Sequence, residues 1–294
     1  MSIISYFTRK MFQKGDTKRD QGLTTPKDIV RFDNISYGND GEWNLLDVYR
    51  PLNYNQEKLP VIVSVHGGGW VYGSKETYQF YCMSLAQNGF VVINFNYHLA
   101  PKFKFPAPVF DTNQVFHWLI KNADKYGIDI NKVFAVGDSA GAQILGSYAA
   151  ICTNSEYAKL YRIEVPKTLN FKAIALNCGV YKIPLKKFDR QSFLMRDYFS
   201  KKGSLQEKKM ADFREYITKN YPPVYVMTSI GDFLKEEAPI LIKEFEEKSI
   251  PYKYQLYGDE INKLGHVFHC NIHDEAAKKC NNDECEFFHQ WETI

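Results

Sequence analysis

Val133-Phe-Ala-Val-Gly-Asp-Ser-Ala-Gly-Ala-Gln-Ile-Leu-Gly146 is the stretch that decides how this chain is read. A run of β-formers, Val133 to Val136, stops at Gly137, and a small-residue segment compatible with a helix begins near Ala140. The pattern is strand, sharp turn, helix. Within the turn, residues 137 to 141 spell G-x-S-x-G: Gly137 and Gly141 remove the Cβ atoms that would collide when strand and helix approach closely, and Ser139 is held at the tip. A tight turn whose serine merely caps the helix is the alternative, because serine is a favoured N-cap residue and the motif also arises by chance. The rest of the chain has to separate the two.

Working outward, the flanks alternate between strand and helix. Pro60 to Val65 is an unbroken apolar strand, Thr77 to Gln87 is helix-like, Phe90 to Phe95 is a second such strand, and helix-like Phe110 to Ala123 leads into the Val133 strand. Beyond Ser139 come a helix, strands at Phe171 to Asn177 and Val224 to Ser229, a helix over Leu234 to Lys248, a strand at Tyr252 to Tyr257, and a last helix from about His273. Two further strands, Ile29 to Tyr37 and Leu45 to Tyr49, precede the series. Continuous apolar strands imply burial on both faces, so the class is α/β, a doubly wound and mostly parallel sheet with helices on both sides. One interval, Tyr181 to Tyr221, is longer than a single crossover needs and reads as an inserted cap within a main domain of residues 28 to 294. Residues 1 to 27 read as an N-terminal cap or docking segment. There Ile3, Ile4, Tyr6, Phe7, Met11 and Phe12 suit one face of a short helix, followed by a polar linker to Pro26.

Composition limits the partners. With 294 residues, 45% hydrophobic and 24% charged, the chain can bury a full core. Its 37 basic and 34 acidic residues are interspersed, without the basic stripe that nucleic-acid binding requires, so no nucleic-acid partner is expected. The charge is nonetheless uneven. Residues 181 to 221 hold eleven Lys or Arg against five Asp or Glu, and residues 1 to 27 hold six against two, leaving an acidic remainder. Six cysteines in a chain of this length, with no leader pattern at its start, fit reduced thiols in a cytoplasm. No apolar stretch approaches the roughly 20 residues of a membrane span. A homodimer is compatible with all of this. Cys270, His273, Cys280, Cys285 and His289 crowd the C-terminus, but their spacing matches no paired zinc pattern, and neither metal nor organic cofactor is expected.

Directly after the Pro60 to Val65 strand stands His66-Gly67-Gly68-Gly69-Trp70. Three glycines at a strand end let backbone N–H groups turn toward a ligand, as an oxyanion hole demands, though a glycine-rich turn would look the same. If Ser139 is a nucleophile it needs a base and an orienting carboxylate on loops after later strands, in the order Ser, acid, His. Asp232 follows the Val224 to Ser229 strand and His266 follows the Tyr252 to Tyr257 strand, with room between them for one helix and one strand. Taken singly, Asp232 could be an N-cap and His266 a loop histidine. Their joint occurrence in this order, beside two glycine motifs, favours a catalytic set.

Together these segments resemble the hormone-sensitive-lipase-like carboxylesterases of the α/β-hydrolase superfamily, from about Leu45 onward. The resemblance is carried by His-Gly-Gly-Gly at 66 to 69, Gly-Asp-Ser-Ala-Gly at 137 to 141, Tyr97-His98-Leu99-Ala100-Pro101, the acid segment from Asp232 to Glu237, and His266-Val267-Phe268. It implies Ser139 as nucleophile, His266 as base, Asp232 as its orienting partner, and Gly68, Gly69 and Ala140 as oxyanion-hole amides. It also implies a small ester as substrate and hydrolysis through an acyl-enzyme. Esterase action on acetylated or feruloylated carbohydrate is the neighbouring alternative, and a non-catalytic binding protein of this fold the more distant one. His98 stands where the family usually has arginine, and Ala142 where it often has glycine. His66 is expected to hold the glycine loop rather than act as a base. Tyr181, Phe188, Phe193, Tyr198 and Phe199 are expected either to line an acyl pocket or to form the insertion's own core.

Overall fold

The computed structural model describes residues 2–54, 58–183, 190–200 and 203–293, with the backbone alone at 54 and 190–193. Its centre is an eight-stranded sheet in the order β1-β2-β4-β3-β5-β6-β7-β8, with β1 Ile29–Ser36, β2 Leu45–Pro51, β3 Leu59–Val65, β4 Val91–Phe95, β5 Ile128–Asp138, β6 Phe171–Asn177, β7 Val224–Ser229 and β8 Tyr252–Tyr257. The first two strands run antiparallel, and every pair from β4 through β8 is parallel. This is the fold class expected from the unbroken apolar runs; β3, β4 and β7 are buried at every residue.

Helices α2 Lys75–Ala86 and α9 Glu275–Gln290 cover one face of the sheet, while α3 Ala107–Tyr126, α4 Ala140–Thr153, α5 Ser155–Tyr161 and α8 Glu237–Glu247 contribute to the core on the other. Between β6 and β7 lie α6 Arg190–Tyr198, α7 Leu205–Ala211 and a 3-10 turn at Phe213–Tyr216. Parallel registers bring the C-terminal ends of the central strands level: Val65 pairs with Gly137, and Asp138 with Asn177. Beyond β7 and β8 an isolated bridge joins Gly231 to Gly265. A Cβ at Gly231 would lie 2.5 Å from the Leu264 carbonyl, so only glycine permits the loops after those two strands to meet.

Several elements differ from the sequence reading by a few residues at an end, and three differ for an identifiable reason. β5 begins at Ile128 rather than Val133, since Ile128 and Ile130 alternate with polar residues and Leu59 pairs with Ile128. α8 starts later than Leu234: the Asp232 carboxylate accepts from the Leu234 N–H, fixing a turn there first, so Asp232 is not the helix N-cap. The N-terminal helix α1, Ile3–Arg19, runs well past the short helix expected, and only part of its apolar set packs inward, Ile4 against the core and Phe12 against Tyr72. Its buried residues are Ser5 and Thr8, while Ile3, Tyr6, Phe7 and Met11 are exposed. The reason is polar contact with α6: the Ser2 N–H and the Ser5 hydroxyl both donate to Asp197 Oδ2, at 2.9 and 2.5 Å. Arg9 adds bonds to the carbonyls of Val71 and Ala100.

Candidate active site

Ser139 sits at the junction of β5 and α4 with φ 51° and ψ −117°, a conformation that costs a non-glycine residue energy and persists only where its surroundings enforce it. Here they do. Its N–H donates to the Asn177 carbonyl at 2.9 Å and its own carbonyl accepts from the Val180 N–H at 3.1 Å. The two elbow glycines are required by contact: a Cβ at Gly137 would fall 2.6 Å from the Gly141 carbonyl, and one at Gly141 only 2.0 Å from that of Val65. The turn can be this tight only because both lack side chains.

The loops after β7 and β8 bring the other two predicted residues to Ser139. His266 Nε2 lies 3.0 Å from Ser139 Oγ, and His266 Nδ1 lies 2.8 Å from Asp232 Oδ1. Burial raises the pKa of Asp232, but the bonds from His266, the Leu234 N–H and the Cys178 thiol outweigh it, so the carboxyl is held below its ordinary range and ionised. An ionised carboxylate only accepts. Nδ1 must therefore carry the proton, which leaves Nε2 as the acceptor for the Ser139 hydroxyl. That is the arrangement in which an imidazole can remove a proton from an attacking oxygen.

The glycine turn after β3 lies against this elbow. A Cβ at Gly67 would be 2.6 Å from Asp138 Oδ2, and Gly68 and Gly69 take φ of 108° and 61°. His66 supports the turn as expected: its ring stacks on Tyr97 with centroids 4.0 Å apart, its Nδ1 bonds the Gly67 carbonyl at 2.8 Å, and the Tyr97 hydroxyl donates to the His66 carbonyl. Burial lowers the His66 pKa to about 4, so it is neutral. Leu194 of α6 reaches over the turn, its Cδ1 3.0 Å from where a Gly69 side chain would begin. Ala140 is the first residue of α4, and the amides of a helix's first turn have no acceptor within the helix.

The BD-FAE family model matches residues 46–243, which span β2 to α8 and include the glycine turn, Ser139 and Asp232. The chain belongs to the BD-FAE family. Among curated relatives of this BD-FAE chain, versiconal hemiacetal acetate esterase of Dothistroma septosporum is 26% identical over 213 residues, covering 68% of this chain and 64% of that protein. Ethyl acetate hydrolase of Pseudomonas putida is 39% identical over 117 residues, 39% of this chain and 36% of that protein. The chain thus spans less than two-thirds of the length of these relatives. Among solved structures, an inhibited form of esterase B from Lactobacillus rhamnosis superposes with a TM-score of 0.91 at 22% identity, covering 98% of this chain and 94% of that one. The shared fold is the α/β-hydrolase fold, in agreement with the resemblance to the hormone-sensitive-lipase-like enzymes.

Beneath Ser139 the BD-FAE chain carries a buried polar layer that sequence reasoning missed. Asp138 accepts from the Tyr78 hydroxyl at 2.7 Å, and burial raises its pKa to about 6 despite that bond. Glu284 of α9 accepts from Tyr81 at 2.9 Å and from the Asn177 side chain at 2.5 Å; burial lifts it to about 7. His269, which burial lowers to about 3, is fully enclosed here and stays neutral. Two trios of metal-ligand type occur among the described residues, Asp138 with His269 and Cys270, and Cys178 with Asp232 and His266. In both, burial pushes the thiol well above its ordinary value. Of the C-terminal residues weighed for zinc, Cys280 and Cys285 are in the core and His273 is exposed.

Two further residues shape the Asp232 site: Thr228, whose hydroxyl donates to Oδ2 at 2.9 Å, and Cys178, already named. Both occupy C-terminal strand ends or the residue after, the positions where a parallel sheet of this kind gathers its site, and that placement was the available signal. Of the insertion aromatics, Tyr198 is buried and stacks on Trp70 at 5.0 Å, and Tyr181 and Phe199 are also buried. Phe188 and the side chain of Phe193 lie outside the described residues. His98 bonds Asp111 and Asp40 through its two ring nitrogens, each at 2.8 Å.

Proposed function

We propose that this protein is a serine carboxylesterase that hydrolyses short to medium acyl esters through an acyl-enzyme. The observation that carries the reading is the continuous hydrogen-bonded line from Ser139 through His266 to Asp232, at 3.0 and 2.8 Å. In the reaction Ser139 Oγ attacks the ester carbonyl as its proton passes to His266 Nε2, and Asp232 steadies the imidazolium. The amides of Gly68, Gly69 and Ala140 receive the developing oxyanion, each donor contributing about 2.7–4 kcal/mol. His266 then gives the proton to the departing alcohol. Water, deprotonated by the same imidazole, attacks the acyl-Ser139 carbonyl, and collapse of the second intermediate releases the acid and restores the serine.

The names of the relatives support an ester as substrate. Residues 181–221, lying between β6 and β7, and residues 1–27, docked on α6, are read as the two parts of a cap. All six cysteines are free, which supports a reducing, cytoplasmic location; among the described residues no helix is long and apolar enough to cross a membrane.

A fluorophosphonate probe tests the nucleophile. Wild-type protein is expected to be labelled once and Ser139→Ala not at all; persistent labelling of the variant places the nucleophile elsewhere. A chain-length series of aryl esters, run beside acetylated and feruloylated sugars, separates the simple-ester reading from the carbohydrate one.

A further inference from the structure

The face of α1 turned away from the protein has an unusual division. Ile3, Phe7 and Met11 recur at four-residue intervals, one above the other on a helix, and their exposures are 76%, 65% and 50%. Tyr6, 48% exposed, extends the patch, with its ring edge-on to Phe7 at 5.7 Å. Toward the C-terminal end the same exposed surface continues into Lys10, Lys14 and Lys18. The helix's acid, Asp16, is turned inward, where it accepts from Tyr72 at 2.8 Å and from Arg19 at 2.9 Å. Its other cations also face inward: Arg9 bonds the carbonyls of Val71 and Ala100, and Arg19 that of Thr77. The outward surface is therefore apolar at one end, purely cationic at the other, and anchored from behind by hydrogen bonds that do not use it.

We propose that this face docks on an anionic lipid surface, with Ile3, Tyr6, Phe7 and Met11 entering the headgroup–acyl boundary and the three lysines meeting lipid phosphates and carboxylates. An interfacial helix has this composition, a modest apolar stripe with lysines and, among the described residues of the helix itself, no exposed acid. Charge argues for a bilayer over a second copy of the chain: two copies related by a twofold axis would bring six lysines to one contact. Each lysine near an anionic leaflet raises partitioning about fivefold, so three together contribute on the order of a hundredfold. Docking has a consequence for the site, because α1 rests on α6, and α6 carries Leu194 over Gly69. The lipid surface would lie beside the proposed cap and bring lipid-dissolved substrate near its entrance.

The test is co-sedimentation of the full chain with vesicles of phosphatidylcholine alone or mixed with phosphatidylserine, at low and high salt. Wild type is expected to bind the mixed vesicles, to bind pure phosphatidylcholine at least tenfold less, and to be released by salt. Phe7→Ser and the triple substitution Lys10→Glu, Lys14→Glu, Lys18→Glu should each lose at least tenfold in partitioning. Both should melt as wild type does and hydrolyse a soluble uncharged ester at the wild-type rate, since none of these residues belongs to the proposed catalytic set. Binding is read without turnover, so its failure is distinct from failure of the esterase reading. Absence of vesicle binding, equal binding to neutral and anionic vesicles, or a dimer in light scattering that Phe7→Ser dissociates while vesicle binding is unchanged would overturn the proposal.

Discussion

Asp232 is buried and yet ionised, and the balance that keeps it so is open to measurement one bond at a time. Four donors bear on it: His266, the Leu234 N–H, the Thr228 hydroxyl and the Cys178 thiol. Asp232→Asn keeps the shape but can present an N–H to Nδ1, which favours the wrong tautomer; kcat is expected to fall by about 10⁴. Thr228→Val removes a single positioning bond of about 1 kcal/mol and should cost only about fivefold to tenfold in kcat, with KM nearly unchanged. Steady-state kinetics on one soluble ester decide this. If Thr228→Val were as damaging as Asp232→Asn, Thr228 would have a larger role than positioning. At this scale the sequence was legible where chemistry restricts the choice of residue. Ser139, Asp232 and His266 stand out by chain order and glycine context, whereas Thr228, Cys178 and Asn177 are ordinary residues whose importance comes from strand register alone.

At the scale of elements, the connection from β4 to α3 is closed by an ion pair whose strength depends on pH. His98, just beyond β4, offers Nδ1 to Asp111 of α3 and Nε2 to Asp40, so both nitrogens donate and the imidazole is charged. Burial works against that charge, but the bonds and charges of Asp111 and Asp40 outweigh it and raise the pKa above the ordinary 6.5. A histidine raised in the folded state stabilises fully below its unfolded value, and the contribution is lost as pH rises through the folded value. The melting temperature should therefore decline from pH 6 through the mildly alkaline range by more than in His98→Arg, whose guanidinium stays charged throughout. Parallel melts of the two proteins check this, and identical pH profiles would remove His98 from the account. The elements themselves were legible to differing degrees. β6, β7 and β8 were read with their observed bounds: β6 and β7 are buried and largely apolar, while β8 is a half-exposed edge strand legible from its tyrosines alternating with Lys253 and Gln255. α1 was read as a short helix with six apolar residues on one face; it is longer, and four of the six are exposed because Asp197, nearly two hundred residues away, helps determine which side packs.

Across the whole molecule, the excess positive charge of residues 1–27 and 181–221 raises the question of what holds two basic segments together. Attraction between them cannot, since both carry a surplus of Lys and Arg. The contact is made instead by serine groups on Asp197, whose charge also attracts Arg9, while Arg9 ties α1 to the body through the carbonyls of Val71 and Ala100 and Arg214 is satisfied locally by Asp212 at 2.6 Å. Lys10, Lys14, Lys18, Lys182 and Lys209 remain exposed on the two segments, above an acidic body. Leu194 of the second segment meets the glycine turn, so the positive potential of these lysines is expected on that side of the molecule, where a substrate bearing a carboxylate should be concentrated. The field reaches only about 10 Å at 0.1 M salt and farther in dilute buffer, so its effect has a characteristic dependence on ionic strength. For two matched esters, one neutral and one carrying a carboxylate remote from the scissile bond, kcat/KM of the anionic ester should drop severalfold between dilute buffer and high salt while that of the neutral ester stays level. Replacing Lys182 and Lys209 by Glu should reverse the slope for the anionic ester. Equal salt responses of the two esters in wild type would show that the rim does not steer substrate and would leave its charge to solubility and surface docking.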